Sequence, residues 1–296
     1  MSESVVSSVY AGLVRKMMNG QTAEGVLSLS IIDFDRAGCG TLWKKKGFDV
    51  VKIVHWILAA LFSAAAALLR IRLIATGFDE NGLPAAMNAG TLALPALFVV
   101  AAAAMVLLAR RLPAQRELCA GMDLYFDYDQ SAFSVMLMVA GSFALIASAV
   151  YSLVFSQRTA AELVMAAFLA AGAVCLIWAT AALRRGTEFP GVMLLVPVCA
   201  MVLTLILFYR EHAADPILRH YYVETLALAA LTVLLLEFAA FALRGGAPRI
   251  LMPVSAMSII FCAAAIAAKP ALGDILFYAG GICLAAGIGA AADFDP

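Results

Sequence analysis

Long stretches without a charged side chain constrain this chain more than any other feature of its sequence. Lys, Arg, Asp and Glu are absent from residues 53–69, 81–109, 130–157, 163–183, 189–209, 250–268 and 275–292, and 225–243 is interrupted only by Glu237. A helix needs about 20 mainly apolar residues to cross the hydrocarbon layer of a membrane. The windows therefore predict eight spans, near 50–69, 89–109, 132–155, 162–183, 190–209, 223–243, 250–268 and 274–292.

The overall composition agrees with this prediction. The chain of 296 residues is 64% hydrophobic and 14% charged, whereas soluble domains are about half apolar and a quarter charged. Lys plus Arg and Asp plus Glu number 20 each, and this balance gives no indication of a nucleic-acid partner. The expected fold is an all-α, polytopic integral membrane helical bundle in contact with the lipid bilayer.

Positive charges outside the spans predict the orientation of the chain. If the amino terminus is cytoplasmic, the outer segments hold six of the 20 Lys and Arg residues: Arg70, Arg72, Arg158, Arg210, Arg219 and Lys269. Cytoplasmic loops carry the excess of positive charge, so we expect both termini in the cytoplasm and the protein in the cell membrane. The first span is expected to act as an uncleaved insertion signal, because no short apolar stretch follows a basic start.

The region before the first span differs from the rest of the chain. Residues 1–49 form a predicted cytoplasmic segment, and residues 50–296 the transmembrane domain. Apolar pairs recur every four residues from Val5 to Met18, with Arg15 and Lys16 between them. This spacing predicts an amphipathic helix, either at the membrane surface or packed against inner loops of the same protein.

Two segments of the chain resemble each other. Residues 181–201 read AALRRGTEFPGVMLLVPVCAM and residues 241–257 read FALRGGAPRILMPVSAM, so both close one span with Ala-Leu-Arg and open the next with Pro-Val-x-Ala-Met. An offset of two spans preserves orientation, which predicts parallel helical-hairpin repeats like the repeats of many transporters. The alternative is chance similarity, because Ala, Leu and Arg are common wherever a span ends at the inner surface.

Glu237 is the carboxylate that lies deepest within a predicted span, and it is the first candidate functional residue. Ionisable side chains are costly inside a membrane and often mark ion or proton pathways. In such a pathway Glu237 would carry a proton or bind a cation. The alternative is structural: Glu237 lies seven residues before Arg244, so it can extend toward the inner surface or pack in its protonated form against a neighbouring helix.

A polar cluster occurs in the outer loop between spans five and six, which reads YREHAADPILRHYYVE at 209–224. His212, Asp215, His220 and Glu224 supply imidazole and carboxylate groups, which suit Zn²⁺ or a similar ion. His220 and Glu224 are four residues apart and would share one face of a helix. The alternative is an ordinary polar loop whose tyrosines form an aromatic belt at the membrane interface.

An acidic cluster occurs in the inner loop before span three, which reads DLYFDYDQ at 123–130. Asp123, Asp127 and Asp129 offer hard oxygen ligands that bind Mg²⁺ on a diphosphate substrate. Intramembrane prenyltransferases use two such motifs, and the sequence has no convincing second one. The alternative is that this acidic and aromatic loop contacts a protein partner.

These observations leave three hypotheses for the function. The first is a transporter or permease for a small or lipid-like substrate, based on the helical bundle, the hairpin similarity and Glu237. The second is a non-catalytic assembly or regulatory membrane protein, which would hold a partner at the amino-terminal helix or the 110–130 loop. The third, less favoured, is an enzyme acting on lipid or prenyl substrates. The sequence has no P-loop and no G-x-S-x-G motif, and no cofactor is expected.

Overall fold

Helices account for nearly all of the chain that the structure describes. The computed structural model describes residues 52–76, 89–110, 126, 132–155, 160–185, 190–212, 221–243, 246–268 and 271–292. Its α-helices are α1 Lys52–Thr76, α2 Ala89–Ala109, α3 Ala132–Phe155, α4 Ala160–Arg184, α5 Leu195–His212, α6 Tyr222–Ala242, α7 Pro248–Ile266 and α8 Leu272–Ala291. Within these described ranges, eight helices are long and apolar enough to cross a membrane, which confirms the predicted all-α bundle and indicates a multi-pass membrane protein. The predicted amphipathic helix and the boundary at residue 49 lie outside the described residues.

The first helix is longer than the sequence predicted. The first span was expected to end at residue 69, but α1 continues to Thr76 and carries Arg70 and Arg72 as helical residues. Arg70 is buried, with 1% of its side chain exposed. The predicted span ended at the first arginine because every charged side chain was expected to lie in water. In the structure, Arg70 instead pairs with an acidic side chain of another helix.

Helices α3 to α8 form a closed ring. Each helix from α3 to α7 packs against its successor in the chain, and α8 packs against α3. Short connections favour antiparallel neighbours in a helical bundle, which accounts for the order of helices around the ring. The ring gives α3 to α8 a common interior, in which a site can be shared by several helices.

Glycines allow the contact between α3 and α8 to be the most extensive of the ring. A Cβ atom added to Gly141 would lie 2.8 Å from the carbonyl oxygen of Gly280, and one added to Gly280 would lie 2.9 Å from the carbonyl oxygen of Gly141. Small residues let helix backbones approach closely, so that dispersion forces hold the helices together in an apolar environment. These two glycines therefore close the ring.

Helices α1 and α2 lie against the ring near α7. Ala59 of α1, Met105 of α2 and Ala256 of α7 form one buried cluster. A Cβ atom added to Gly289 of α8 would lie 3.1 Å from the ring of Trp56 of α1. The eight helices thus consist of a ring and a peripheral pair, and α1 touches both α7 and α8.

Two ends of the bundle are distinguished below. The Arg70 end is where α1, α3, α5 and α7 finish and α2, α4, α6 and α8 begin. The Glu237 end is the opposite one, where α6 finishes and α7 begins. Glu224 and Glu237, both on α6, are separated by about 20 Å along the helix axis.

Candidate functional site

A cavity of about 810 Å³ lies at the Arg70 end. Its lining residues come from α1, α3, α4, α5, α6 and α8, in the part of each helix nearest this end, and from Ala268, which lies just after α7. The deepest positions are Ser148, Leu169 and Thr204, which lie about 10–13 Å from the terminus of their helix at 1.5 Å per residue. The cavity therefore reaches about a third of the way along the bundle.

An ion pair between α1 and α6 forms part of the cavity wall. Nη2 of Arg70 donates a hydrogen bond to Oε1 of Glu224, with 3.3 Å between the two atoms. The side chains are 1% and 12% exposed, respectively. The Arg70 guanidinium also lies 5.7 Å from the centroid of the Tyr222 ring. A charge removed from water needs a close partner, and Glu224 supplies it, which explains how α1 keeps an arginine in its buried face.

The rest of the lining combines aromatic rings with hydroxyl groups. Phe208 and Tyr221 meet edge to face with ring centroids 6.2 Å apart. Phe277 and Tyr278 do the same on α8, at 5.4 Å. The Thr204 hydroxyl donates a hydrogen bond to the Ala200 carbonyl oxygen at 2.9 Å, so its lone pairs remain available to accept. This mixture suits a ligand that is mainly apolar and carries a polar group.

Acidic side chains occupy equivalent positions on three helices around the cavity. Glu162, Glu224 and Asp274 lie in the first turns of α4, α6 and α8, respectively, and all three line the cavity. Negative side chains are stabilising near a helix amino terminus, where the unpaired N–H groups carry partial positive charge. The antiparallel ring brings these three helix starts to the same end of the bundle.

Aromatic side chains pack tightly at the Glu237 end. Phe126 is 4% exposed and meets Phe238 and Phe241 of α6 edge to face, with both centroid distances 5.4 Å. Its backbone forms an isolated antiparallel bridge with Ala292, just after α8. Phe126 thus joins the ends of α6 and α8. We call Phe126, Phe238 and Phe241 the aromatic plug.

Glu237 is half-buried near this plug. Its Oε2 accepts a hydrogen bond from the backbone N–H of Ala247, the N-cap of α7, at 3.4 Å. The first N–H groups of a helix lack partners within the helix, and Glu237 supplies an acceptor next to them. This contact gives Glu237 a structural role at the turn from α6 to α7. Glu237 is not among the residues that line the cavity at the Arg70 end, and its predicted role as proton carrier or cation ligand stays a prediction.

The predicted metal cluster is only partly within the described residues. Glu224 is described, and its partner is Arg70. The side chain of His212 and all of Asp215 and His220 lie outside the described part of the chain. Among the described residues, no group of three or more His, Cys, Asp and Glu side chains is arranged to hold a metal ion. The metal site therefore stays a prediction.

The inner-loop acidic cluster also stays a prediction, because Asp123, Asp127 and Asp129 lie outside the described residues. The same holds for the proposed partner contact of the 110–130 loop, with one exception. Phe126 belongs to that loop and is buried against α6. At this position the loop contributes to the bundle itself.

Sequence reasoning missed Arg70, although a signal for it was present. The buried positions of α1 include Ala59, Ala66, Arg70 and Leu73. Their spacing of seven, four and three residues follows one face of a helix. Extending this periodicity beyond residue 69 predicts a buried arginine, and a buried arginine requires an acid on another helix.

The described fold and cavity define a class of protein, a multi-pass helical bundle with a ligand-sized cavity at one end. No protein-family model, curated protein or solved structure matches the chain. The cavity and the aromatic plug are therefore the features of this chain that bear on its function.

Proposed function

We propose that this protein is a membrane carrier for a small, largely apolar solute, which binds in the cavity at the Arg70 end. One observation carries the proposal: a cavity of about 810 Å³ enters the ring from one end, while aromatic side chains pack closely at the other. A carrier opens its binding site to one side of the membrane at a time. A site that is open at one end and closed at the other is what one of the two conformations of a carrier requires.

The size and chemistry of the cavity support a small-molecule ligand. Ligand pockets are typically about 300–1,000 Å³, lined mainly by apolar groups with a few polar groups that fix orientation. Here Leu169, Phe208 and Leu228 represent the apolar lining, whereas Ser148 and Thr204 represent the polar groups. A protein whose bundle served only as a scaffold would have no need of such a cavity.

The plug supplies the barrier that a carrier needs. Phe126 is held by ring contacts to α6 and by a bridge to the end of α8. A shift of α6 against α8 would break these contacts together, because the same residue makes both. Carriers change access through such movements of packed helices.

The orientation of the carrier follows from the charge distribution. Arg110, Arg184, Arg185 and Arg249 lie at or near the Glu237 end of their helices. Positively charged segments tend to remain in the cytoplasm. In the proposed orientation the cavity opens to the outside of the cell membrane, the plug faces the cytoplasm, and both termini are cytoplasmic.

Cysteine accessibility tests the proposal with a matched pair of threonines. Thr204 lines the cavity, whereas Thr180 is 1% exposed and lies near the Glu237 end of α4. Both hydroxyls donate to the carbonyl oxygen four residues earlier, at 2.9 and 2.7 Å. Thr204→Cys and Thr180→Cys are made in a chain whose six native cysteines are replaced. A membrane-impermeant thiol reagent is applied to sealed vesicles of either orientation.

If the protein is a carrier, we expect Thr204→Cys to react with the thiol reagent quickly from the Arg70 side and more slowly from the Glu237 side. We expect Thr180→Cys to stay unreactive. Reaction from the Arg70 side alone, even after long incubation, contradicts transport and leaves a ligand-binding regulatory protein. No reaction of Thr204→Cys from either side contradicts the cavity itself and favours a packed assembly protein.

A further inference from the structure

His55 is a buried titratable side chain that belongs neither to the cavity nor to the aromatic plug. It lies in the first turn of α1, at the Glu237 end, and 2% of the residue is exposed. Its imidazole ring hydrogen-bonds the backbone of Met252, near the start of α7. The ring nitrogen Nε2 is buried without a hydrogen-bond partner among the described residues. Ionisable groups buried within membrane spans are candidates for a functional role.

The hydrogen bond to Met252 fixes the protonation state of the ring. Because Nε2 has no partner, the bond is made by Nδ1, which carries the proton that it donates to the Met252 carbonyl oxygen. In a neutral imidazole the other nitrogen then has a lone pair and no proton. Nε2 is therefore the position at which His55 can bind one more proton.

Among the described residues, none accepts a hydrogen bond from Nε2 of His55. The nearest charged side chains along α1 and α7 are Lys52, three residues before His55, and Arg249, three residues before Met252. Both of these side chains offer only donors. A proton on Nε2 would therefore create a buried, charged donor without an acceptor, which is strongly unfavourable. In the described conformation His55 is thus neutral.

The other helices around this imidazole supply no carboxylate near it. Helix α8 approaches at Gly289, where an added Cβ atom would lie 3.1 Å from the ring of Trp56. Helix α2 has no charged side chain, and α8 has none beyond its first turn. On α8 the nearest titratable side chain is the Cys283 thiol, about 9 Å along the helix from Gly289. On α7, the nearest one after Met252 is the Cys262 thiol, about 15 Å along the helix.

The hydrogen bond of His55 holds the part of α7 that lies next to the aromatic plug. Met252 immediately precedes Pro253, and a proline inside a helix removes a backbone hydrogen bond and weakens the helix at that point. His55 contacts the last residue before this weak point. Glu237 contacts the first one, because its carboxylate accepts a hydrogen bond from the N–H group of Ala247. Displacement of His55 therefore releases one of these two contacts.

We propose that His55 is a proton-binding site, which takes its proton from the water at the Glu237 end and favours the conformation of the carrier that is open to that end. This inference rests on the proposed function, because it concerns the change between the two conformations. When α1 and α7 separate at this end, water reaches Nε2, supplies the proton and hydrates the imidazolium. A ligand that binds one conformation better shifts the population toward it. A lower pH therefore increases the fraction of carriers open at the Glu237 end.

The fluorescence of Trp56 tests whether His55 binds a proton. The two rings meet edge to face with centroids 5.8 Å apart, and an imidazolium quenches indole fluorescence more strongly than a neutral imidazole does. The chain has three tryptophans, so Trp43→Phe and Trp178→Phe leave Trp56 as the only one. The purified full-length protein in detergent is titrated from about pH 8 to about pH 5, the range in which histidine titrates. We expect the fluorescence to fall in one step, which should be absent from His55→Asn.

Labelling of Thr204→Cys in sealed vesicles, with equal pH on both sides, tests the effect on the conformation. The measured quantity is the labelling rate from the Glu237 side divided by the rate from the Arg70 side, because ionisation of the thiol affects both rates alike. We expect this ratio to rise at least about five-fold as the pH falls from about 8 to about 5. In His55→Asn, whose amide group can still donate a hydrogen bond to Met252, the ratio should not depend on pH.

Two control variants assign the pH response to one residue. The chain has three histidines, and the double variant His212→Asn, His220→Asn leaves His55 as the only one. This variant should keep both pH responses, and it decides the question even if His55→Asn fails to fold. Glu237→Gln removes the carboxylate at the start of the same segment of α7 and should also keep both responses.

Several results would overturn the proton site. These are Trp56 fluorescence or a labelling ratio that does not respond to pH, a response that persists in His55→Asn, and a response that is lost in Glu237→Gln. If Thr204→Cys still reacts from both sides in those cases, the carrier stands and only its control by pH is wrong. Reaction of Thr204→Cys from the Arg70 side alone, at every pH, would instead contradict the proposed function.

Discussion

The Arg70–Glu224 ion pair gives the most quantitative prediction. The perturbation is a double-mutant cycle of Arg70→Ala, Glu224→Ala and the double variant. At an effective dielectric constant of about 20, two unit charges 3.3 Å apart attract each other by about 5 kcal/mol. Glu224 keeps 12% of its side-chain exposure beside the cavity, so water lowers this attraction. We expect a coupling free energy of about 2–3 kcal/mol.

The two single variants should differ in cost. Glu224→Ala leaves the buried guanidinium of Arg70 without its carboxylate partner and should lower the free energy of unfolding by about 4 kcal/mol. Arg70→Ala leaves a carboxylate at the cavity wall, where water can hydrate it, and should cost about 3 kcal/mol. The double variant should cost less than the two single costs added together, because neither charge remains.

Unfolding of the purified protein in mixed micelles, followed by circular dichroism as sodium dodecyl sulfate is added, measures all four free energies. Glu237→Ala serves as a control on the same helix, since its carboxylate accepts a single long hydrogen bond from Ala247 in the described structure. Additive costs, with a coupling below about 0.5 kcal/mol, would show that the pair is solvated and would refute the reasoning.

Three further predictions concern the ring and its Glu237 end. Gly141→Ala should lower the free energy of unfolding by about 1–3 kcal/mol, because the new Cβ would lie 2.8 Å from the Gly280 backbone. Gly281→Ala should lower it less, because the new Cβ would meet the flexible side chain of Leu231. Equal unfolding free energies of the two variants would contradict this. Phe126→Ala should speed labelling of Thr204→Cys from the Glu237 side several-fold, and an unchanged rate would exclude Phe126 as the barrier. Glu237→Gln keeps an acceptor for Ala247 and should cost less than about 1 kcal/mol, whereas loss of solute uptake without loss of stability would favour the proton-carrier hypothesis.

The cavity wall and the aromatic plug both include residues of α6. Glu224 in the first turn of α6 lines the cavity, and Phe238 and Phe241 near its last turn pack on Phe126. A movement of α6 that follows binding near Glu224 would therefore also act on the plug. Labelling of Thr204→Cys from the Glu237 side, with and without bound solute, measures this coupling directly.

The number and character of the helices were predictable from local sequence alone. A stretch of about 20 apolar residues must be helical in lipid, because only a helix satisfies its backbone hydrogen bonds within one segment. This reasoning needs no knowledge of neighbouring helices, and it predicted the ends of α2 and α3 closely, as at Ala109 and Phe155. It failed at α1, where Arg70 was taken as the end of a span although the helix continues to Thr76.

The residues that come together in the candidate site could not be predicted from local sequence. Arg70 and Glu224 are 154 residues apart in the chain, and the sequence assigned one to a loop and the other to a metal cluster. Whether a charge is paired or solvated depends on which helices are neighbours. The predicted functional residue Glu237 followed from its depth in a span, a property of one helix. Its hydrogen bond to Ala247 depends on the turn that follows.

By itself, the sequence determined that this chain forms an apolar, all-helical bundle with eight potential spans, since the cost of exposing backbone polar groups to lipid acts residue by residue. Only the tertiary structure decided that α8 closes a ring on α3, that a cavity lies at the Arg70 end and that Phe126 packs on Phe238 and Phe241 at the other. These features arise from pairwise packing, such as that of Gly141 on Gly280. The cost of transferring a residue into lipid is nearly the same for every order of helices in the bundle. Short connections make successive helices neighbours, and the surfaces that fit together decide which helices close the ring.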